Sequence, residues 1–514
     1  MSTTVAATPE RELGPLRTSN YTVYVDLPSD GTRVLLTHGY SGAYDIVSAS
    51  VARFIRSLDY RAPKPLYGEW VYDATPDEPL VTPSDDVIDL LKRRGYLTQL
   101  SREDERHRFE RFVERKHKLA LARMPSYLFM PTYDCNLRCA YCFQDHMRTN
   151  EAFRPLLRSM TPAMVDRIVD AMPQLEARHG ITDATNLHRN ITFFGGEPLL
   201  ARNRKIVEYI LSAVSARGPA RFSAISNATE LEDYADVLGP DNIQMIQITI
   251  DGPAEKHDTR RIYADGSGSF DRICNNVDLA LSRGVYIDIR MNIDKTNYEM
   301  LPDVARVFQA RGWVGNTNFS AYAAPVHATN GKTERSTTFN SLELKEKILE
   351  LRQSHPELNH ISLPDDGLRS RLRSLFKDGS DPLAMMRSSF CGAHSGMYIF
   401  DSFGDIYACW ERTGDKNIRI GWLDEEGRVE LIADRAKDWQ TRTVTTNEAC
   451  VQCRYSMYCG GGCAVLAEGL HGTTRGNYCD VFGRRFRLAV AEAYGEHVVD
   501  APKVNATALE LRAL

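Results

Sequence analysis

The distribution of cysteine constrains this chain more than any other feature. Eleven cysteines occur in 514 residues, and ten of them fall into two groups. Cys135, Cys139 and Cys142 form a CxxxCxxC run. Cys391, Cys409, Cys450, Cys453, Cys459, Cys463 and Cys479 crowd the last quarter, and Cys274 stands alone. The N-terminal stretch MSTTVAATPERELGPLR has no apolar segment of the secretory kind, so the expected compartment is the reducing cytoplasm. There, close-set cysteines are metal ligands before they are disulfides. Three thiolates spaced CxxxCxxC can hold three corners of an iron–sulfur cube and leave the fourth iron open to a substrate. A zinc site would need a fourth ligand, for which His146 is near enough in sequence.

Charge narrows the partners. With 63 Lys+Arg against 68 Asp+Glu the net charge is −5, which excludes a globally basic nucleic-acid binder. The first 100 residues carry the acidic stretches DLPSDG, DATPDEP and PSDD and no basic stripe, so no nucleic acid is expected there either. No run of about 18 apolar residues occurs, so no helix is expected to span a membrane. A chain of this length splits into roughly two to four domains.

Residues 1–18 are polar and read as a flexible tail. YTVYVDL and RVLLTH read as two strands around the turn PSDGT, SASVARFIRSL as a helix, and VIDLLKRRGYLT as a second helix ending at Gly95. Residues 19–100 are thus expected to form a small winged-helix-like unit, followed by a charged helical connector over 101–120. From Ser126 the candidate strands SYLFMPT, NITFFGG, RFSAISN, MIQITID, YIDIRMN and NFSAYAA alternate with helical stretches. These are TPAMVDRIVDAMPQLEARHG, NRKIVEYILSAVSARG, ELEDYADVLG, FDRICNNVDLALSRG and YEMLPDVARVFQARG. Thr161 before Pro162 is an N-cap and first-turn pair. This alternation over 121–345 predicts an α/β class with a parallel sheet, whose chemistry sits at the carboxyl ends of the strands. Residues 325–390 lack the rhythm and contain one helix, LELKEKILELRQ, and 346–390 read as a bridging region. Short strands with Gly turns open a Cys-rich unit over 391–485, and 486–514 read as a C-terminal tail. Cys274, at an apolar helical position, reads as a buried free thiol.

CNLRCAYC after the first strand, GGEP at Gly195–Pro198 after the second, and a third strand ending ISNAT together resemble the radical S-adenosylmethionine (radical SAM) superfamily. The resemblance implies a partial (β/α)6 TIM-like barrel and a [4Fe–4S] cluster on Cys135, Cys139 and Cys142. S-adenosyl-L-methionine would chelate the open iron and be cleaved by one electron to a 5′-deoxyadenosyl radical. It further implies that Tyr141 lies by the adenine and that Gly195, Gly196 and Glu197 meet the methionine amino group. Ser226, Asn227 and Thr249 would contact the ribose or carboxylate, with Arg290 and Asn292 as weaker candidates on the next strand. The HD-x-R-R stretch, His257 to Arg261, would face substrate or form surface ion pairs.

The later group reads C-x12-G-x4-C, then C-x2-C-x5-C-x3-C, then C, and is similar to the SPASM extension of that superfamily. That resemblance implies two auxiliary [4Fe–4S] clusters, three in all. The distal one would be held by Cys450, Cys453, Cys459 and Cys479, and the proximal one by Cys391, Cys409 and Cys463. The chain departs from fully ligated members in having MMRSSF at Met385–Phe390 where another cysteine precedes. The proximal cluster therefore has an open iron or a non-cysteine ligand, His394 being one option. Glu411 and Asp405 are candidate catalytic acids or bases near it, against the alternative of solvated turn carboxylates.

SPASM enzymes mostly modify peptides or proteins. The 19–100 unit resembles the recognition element of ribosomal-peptide (RiPP) maturases, which binds a leader peptide by adding a strand to an edge. The expected partners are therefore a precursor peptide with a leader and an electron donor such as flavodoxin or ferredoxin. The expected reaction is a crosslink or related C–H functionalisation. The rival is maturation of a larger protein, such as a sulfatase or dehydrogenase subunit. Sulfatase-maturing enzymes carry an acid directly after the second SPASM cysteine, whereas Cys409 here is followed by Trp410 and only then by Glu411.

Overall fold

The computed structural model describes residues 14–27, 30–59, 80–329 and 332–500. The stretch DATPDEP, most of the expected N-terminal tail and the end of the expected C-terminal tail lie outside them.

All six expected core strands are present. Ser126–Phe129, Arg189–Phe193, Ala220–Ser226, Ile243–Thr249, Tyr286–Ile293 and Phe319–Pro325 lie side by side in chain order, each parallel to the next. Helices Pro162–Arg178, Arg204–Ser215, Phe270–Ser282 and Leu301–Ala310 cross between them. Thr161 caps the first by accepting from the Met164 N–H, with Pro162 in the first turn. The ELEDYADVLG stretch is not the expected helix but a single 3-10 turn, Leu231–Tyr234. One apolar cluster of strand and helix residues runs through this unit, and Cys274 is completely buried in it, as a structural thiol.

The sheet extends beyond the barrel strands. Ile361–Ser362 adds to one end in parallel. At the other, Met397–Phe400 pairs in parallel with Ser126–Phe129, and three antiparallel strands follow to Leu431. The Cys-rich unit is thereby hydrogen-bonded onto the strand that leads into the first cysteine group, which ties the two units edge to edge.

Three boundary expectations are corrected. Residues 14–18 are not loose: Arg17–Thr18 pairs with Leu97–Thr98, and Arg17 bonds to Glu105 at 2.9 Å. The division at 345/346 cuts a continuous helix, Ser341–Arg352, and the bridging region holds a second helix, Asp366–Asp378. The expected C-terminal tail is largely a helix, Phe482–Asp500, packed on that one. Its Phe486, Ala489, Val490 and Ala493 are fully buried with Leu372, because a partly apolar helix face needs a partner face.

The N-terminal unit is a three-stranded antiparallel sheet, Thr22–Asp26, Arg33–His38 and Tyr44–Ser48, with helices Ala49–Ser57 and Asp85–Arg94. Both its faces are covered. Val34 and Leu36 pack under its own helices, while Leu35, Val23 and Val25 pack on the far face with Phe109, Met457 and Phe486. Successive residues of a strand point to opposite sides, so this alternation inserts the sheet between two cores. The Tyr21 hydroxyl donates to the Val451 carbonyl at 2.8 Å, and Arg454 donates to the Thr22 carbonyl at 2.7 Å. No helix among the described residues is long and apolar enough to cross a membrane.

Candidate functional site

The cysteine loop leaves Phe129 at the carboxyl end of its strand and is laced to the next loop. The Gly196 N–H donates to the Thr132 carbonyl at 3.0 Å and the Glu197 N–H to the Asp134 carbonyl at 2.7 Å. A side chain on Gly196 would drive its Cβ into the carbonyl oxygens of Tyr133 and Asp134, and Gly195 adopts φ +140°. The glycine pair thus admits the backbone of the cysteine loop itself, a close approach no larger residue permits.

Burial pushes the thiols of Cys135 and Cys139 up to about 12 and about 11. Arg148 holds Cys135 back, Arg261 and more weakly Arg148 hold Cys139 back, and each feels repulsion from a neighbouring cysteine of the set. Cys135 Sγ receives the Leu137 N–H at 3.4 Å and Asn227 Nδ2 at 3.7 Å, and Cys142 Sγ receives Arg148 Nη2 at 3.2 Å. A set of buried, mutually repelling thiols is stable as thiolates only around a cation, so this donor set fits a metal cluster. Among the described residues no group of three or more His, Cys, Asp or Glu side chains closes around one point as a single ion requires. A cubane spreads its thiolates over separate iron corners and does not need such closure. His146, the fourth ligand a zinc site would need, is exposed and stands edge-on against Phe153.

Glu197 is buried and its carboxylate is fully engaged. Oε1 accepts from the Leu199 N–H at 2.9 Å and the Ser226 hydroxyl at 2.7 Å, and Oε2 from the Asn227 N–H at 2.6 Å. Ser226 and Asn227 were expected to serve a ligand; their side chains are spent on holding Glu197 and the cysteine loop, Asn227 through Asn136 at 2.8 Å. Glu197 is therefore a tie between two strand ends. In Glu197→Gln an amide NH2 faces a backbone N–H whichever way it turns, at a cost of about 1–3 kcal/mol. A lower denaturation midpoint at unchanged slope is the expected readout.

Burial raises the Glu197 carboxyl from 4.5 to about 7, against the three hydrogen bonds. Between those values the folded chain holds a proton that the unfolded chain has lost, so stability falls as pH rises from about 4.5 to about 7. Glu197→Gln removes that slope, which denaturation at a series of pH values will show.

Tyr141 is the hub of a second tie. Its hydroxyl bonds to Asp251, accepts Arg261 Nη1 at 2.9 Å and lies 3.3 Å from Asn292 Nδ2. Asp251 also accepts the Asn292 N–H at 2.9 Å and faces Arg260, which bonds Asp294 at 2.8 Å and stacks over the Tyr141 ring. The His257–Arg261 stretch therefore makes no surface ion pairs: His257 and Arg261 are buried, and Arg260 and Arg261 brace the cysteine loop against two strand ends. Asp251 was not singled out, and Arg260 and Arg261 were read only as facing substrate or making surface ion pairs, because nothing in their local spacing points to Tyr141. Thr249 ends its strand opposite Arg290, which donates to Asn292 Oδ1 at 2.9 Å.

The later cysteines gather as two sets. Repulsion, added to burial, links Cys409 with Cys391 and Cys463 in one, and Cys450 with Cys459 and Cys479 in the other; Cys453 packs in the same apolar cluster as Cys450. Gly460, Gly461 and Gly462 are consecutively left-handed at φ +75°, +85° and +76°, and a Cβ on Gly462 would strike the Tyr478 carbonyl. CGGGC is thus the shape that turns Cys459 and Cys463 to different sets.

Where a further cysteine was missing, Met385 and Met386 are buried in the neighbouring core. His394 does not replace it: Nδ1 lies 3.0 Å from the Trp439 carbonyl, Nε2 lies 3.3 Å from Arg442, and the ring stacks on Trp439.

The two candidate acid/base carboxylates separate. Asp405 is buried and ion-paired to Arg419, so it is neither a free base nor a solvated turn. Glu411 has a buried Oε2 with no hydrogen-bond partner. Burial raises its carboxyl, against Arg290 and Arg412, and its charge is felt at Cys409 and Cys463. It lines a cavity of about 480 Å³ with Cys142, Gln144, Lys332, Thr413 and Val465. One cavity thus touches the cysteine loop and the loop after Cys409. Trp410, partly exposed, lies 5.9 Å from Phe194, the residue before Gly195.

Residues 129–308 match the family model described as the radical SAM superfamily. A cysteine-type anaerobic sulfatase-maturating enzyme of Clostridium novyi is 23% identical over 392 residues, spanning 70% of this chain and 93% of that enzyme. The mycofactocin maturase MftC of Mycolicibacterium smegmatis is 22% identical over 338 residues, spanning 65% and 76%. Among solved structures, native anSMEcpe with bound AdoMet superposes with a TM-score of 0.54 at 16% identity, over 73% of this chain and all (100%) of that one.

Proposed function

We propose that this chain, which belongs to the radical SAM superfamily and to its SPASM-type maturases, acts on a ribosomally made peptide and installs a crosslink or related C–H modification. The observation that carries the reading is the shared cavity. It joins the three-thiol loop of Cys135, Cys139 and Cys142 to a buried, unpartnered carboxylate, Glu411, beside the set Cys391, Cys409 and Cys463. Cys135, Cys139 and Cys142 would hold a [4Fe–4S] cluster that would supply the electron for cleaving S-adenosyl-L-methionine to methionine and a 5′-deoxyadenosyl radical. The chain's own residues do the rest. Tyr141, Asp251, Arg260 and Arg261 hold the cysteine loop to the strand ends where the cofactor binds. Glu197 holds the GGE loop, and the cavity walls exclude water from the substrate C–H bond. The 5′-deoxyadenosyl radical takes one hydrogen atom from the substrate C–H bond; as the new bond forms, the second hydrogen leaves as a proton to Glu411 Oε2, and its electron would pass to the auxiliary cluster held by Cys391, Cys409 and Cys463.

In this reading the other two sets hold auxiliary clusters, and a flavodoxin or ferredoxin supplies electrons. The leader adds to the strand Tyr44–Ser48, one of the two edges of the N-terminal sheet. Anaerobically reconstituted protein should hold about twelve irons, as three four-iron clusters require. With reductant it should release 5′-deoxyadenosine, and a co-expressed precursor peptide should change mass. An unmodified peptide alongside steady cofactor cleavage would refute the peptide assignment.

A second reading, maturation of a larger protein such as a sulfatase, draws support from the likeness to the Clostridium novyi enzyme. Deleting residues 1–100 does not separate the two, since it would uncover Val23, Val25 and Leu35 from a shared core. A proline within Tyr44–Ser48 does: it blocks strand addition, so peptide affinity falls while 5′-deoxyadenosine release persists.

A further inference from the structure

Arg148 belongs to none of the expected ligand sets, yet its guanidinium bonds a thiol of the first cysteine group. It lies in the short helix Asp145–Thr149, which starts three residues after Cys142. Its Nη2 donates to Cys142 Sγ at 3.2 Å. Its Nε and Nη1 are buried and have no hydrogen-bond partner. Asp145, on the same short helix, is bonded to Lys332. Buried guanidinium N–H groups left without acceptors are costly, so a native site supplies acceptors for them.

We propose that Arg148 is a positioning residue for the cluster of the first cysteine set: it donates to the Cys142 thiolate and, through Nε and Nη1, to the sulfur face of the cluster. The inference rests on the function proposed above. Its consequence is electrical. The reduced cluster carries one more negative charge than the oxidised one. A fixed cation and N–H···S bonds stabilise that extra charge, so they raise the reduction potential. Arg148 therefore makes the first cluster easier to reduce than its three thiolates alone would. Arginine suits the task because its charge is permanent and its donors form a rigid fork.

The test uses the full chain, reconstituted anaerobically with iron and sulfide and titrated with reductant under EPR detection. The relevant cluster is the one whose reduced signal changes on adding S-adenosyl-L-methionine. In Arg148→Met the ratio of reduced to oxidised cluster at a fixed potential should fall at least about tenfold, a shift of 59 mV for a one-electron couple, at unchanged iron content. Arg148→Lys keeps the charge without the fork and should shift less, in the same direction. If Arg148→Met does not retain the cluster, the same titration of Arg148→Lys decides: a negative shift supports the proposal and none overturns it. An unchanged potential with an intact cluster also overturns it. So does a variant whose only defect is weaker S-adenosyl-L-methionine binding, which would assign the guanidinium to the cofactor's carboxylate. Absence of any responsive cluster in the unaltered chain would instead refute the proposed function itself.

Discussion

Replacing Cys135, Cys139 and Cys142 together by alanine should remove about a third of the bound iron and reduce 5′-deoxyadenosine release to background. Enzymes of this rate class exceed the uncatalysed reaction by at least about 10⁶-fold, so the loss should exceed about 10³-fold. The iron that remains should be that of the later sets, because the first loop shares no thiol with them. Cys391, Cys409 and Cys463 interact with one another, and Cys450 with Cys459 and Cys479. Iron analysis and chromatography of the reaction mixture read both outcomes. Loss of all iron would mean the sets are not independent. Persistent cofactor cleavage would remove the cysteine loop from the chemistry.

Glu411→Gln should produce the opposite split. Cofactor cleavage should persist, since Glu411 bonds to none of the residues that hold the cysteine loop. Modified peptide should fall by about 10²–10⁴-fold, the usual worth of a positioned acid or base. Gln keeps the size and most of the polarity, so the cavity is preserved and the change isolates the proton-accepting oxygen. Asp405→Asn serves as the contrast. Breaking its pair with Arg419 leaves a half-buried guanidinium and a buried Asp405 site unpaired, so it should lower stability before it alters the ratio of product to cofactor cleaved. Equal losses in both products for Glu411→Gln would assign the residue to structure.

Much of the barrel was legible because its signals are local. Strand and helix alternate with the periods a parallel sheet requires, and Thr161–Pro162 marks a helix start that the structure repeats. The first cysteine set was legible for a similar reason, since three thiols in one short loop are brought together by the loop itself, whereas the division of the seven later cysteines came from the resemblance to the SPASM extension. The ELEDYADVLG stretch misled because acidic and apolar residues at helical spacing describe a 3-10 turn equally well. The helix Phe482–Asp500 was read as a tail because its burial depends on Asp366–Asp378, more than a hundred residues earlier.

The sequence by itself determined the donor chemistry: how many thiols, how far apart along the chain, and on which side of the first strand. Tertiary structure alone decided which neighbouring groups remain available. Glu197, Ser226 and Asn227 match a cofactor motif in sequence, and in the fold Glu197 accepts the Ser226 hydroxyl and the Asn227 backbone N–H while the Asn227 side chain reaches Asn136, whereas Glu411, two residues past a cysteine, keeps an oxygen unpaired. Tyr141 meets Arg261 across 120 positions, and the N-terminal sheet is shut between two cores. The physical reason is range. Spacing records what a few consecutive residues can do, but the satisfaction of a buried polar atom depends on whatever the fold carries to it from elsewhere in the chain.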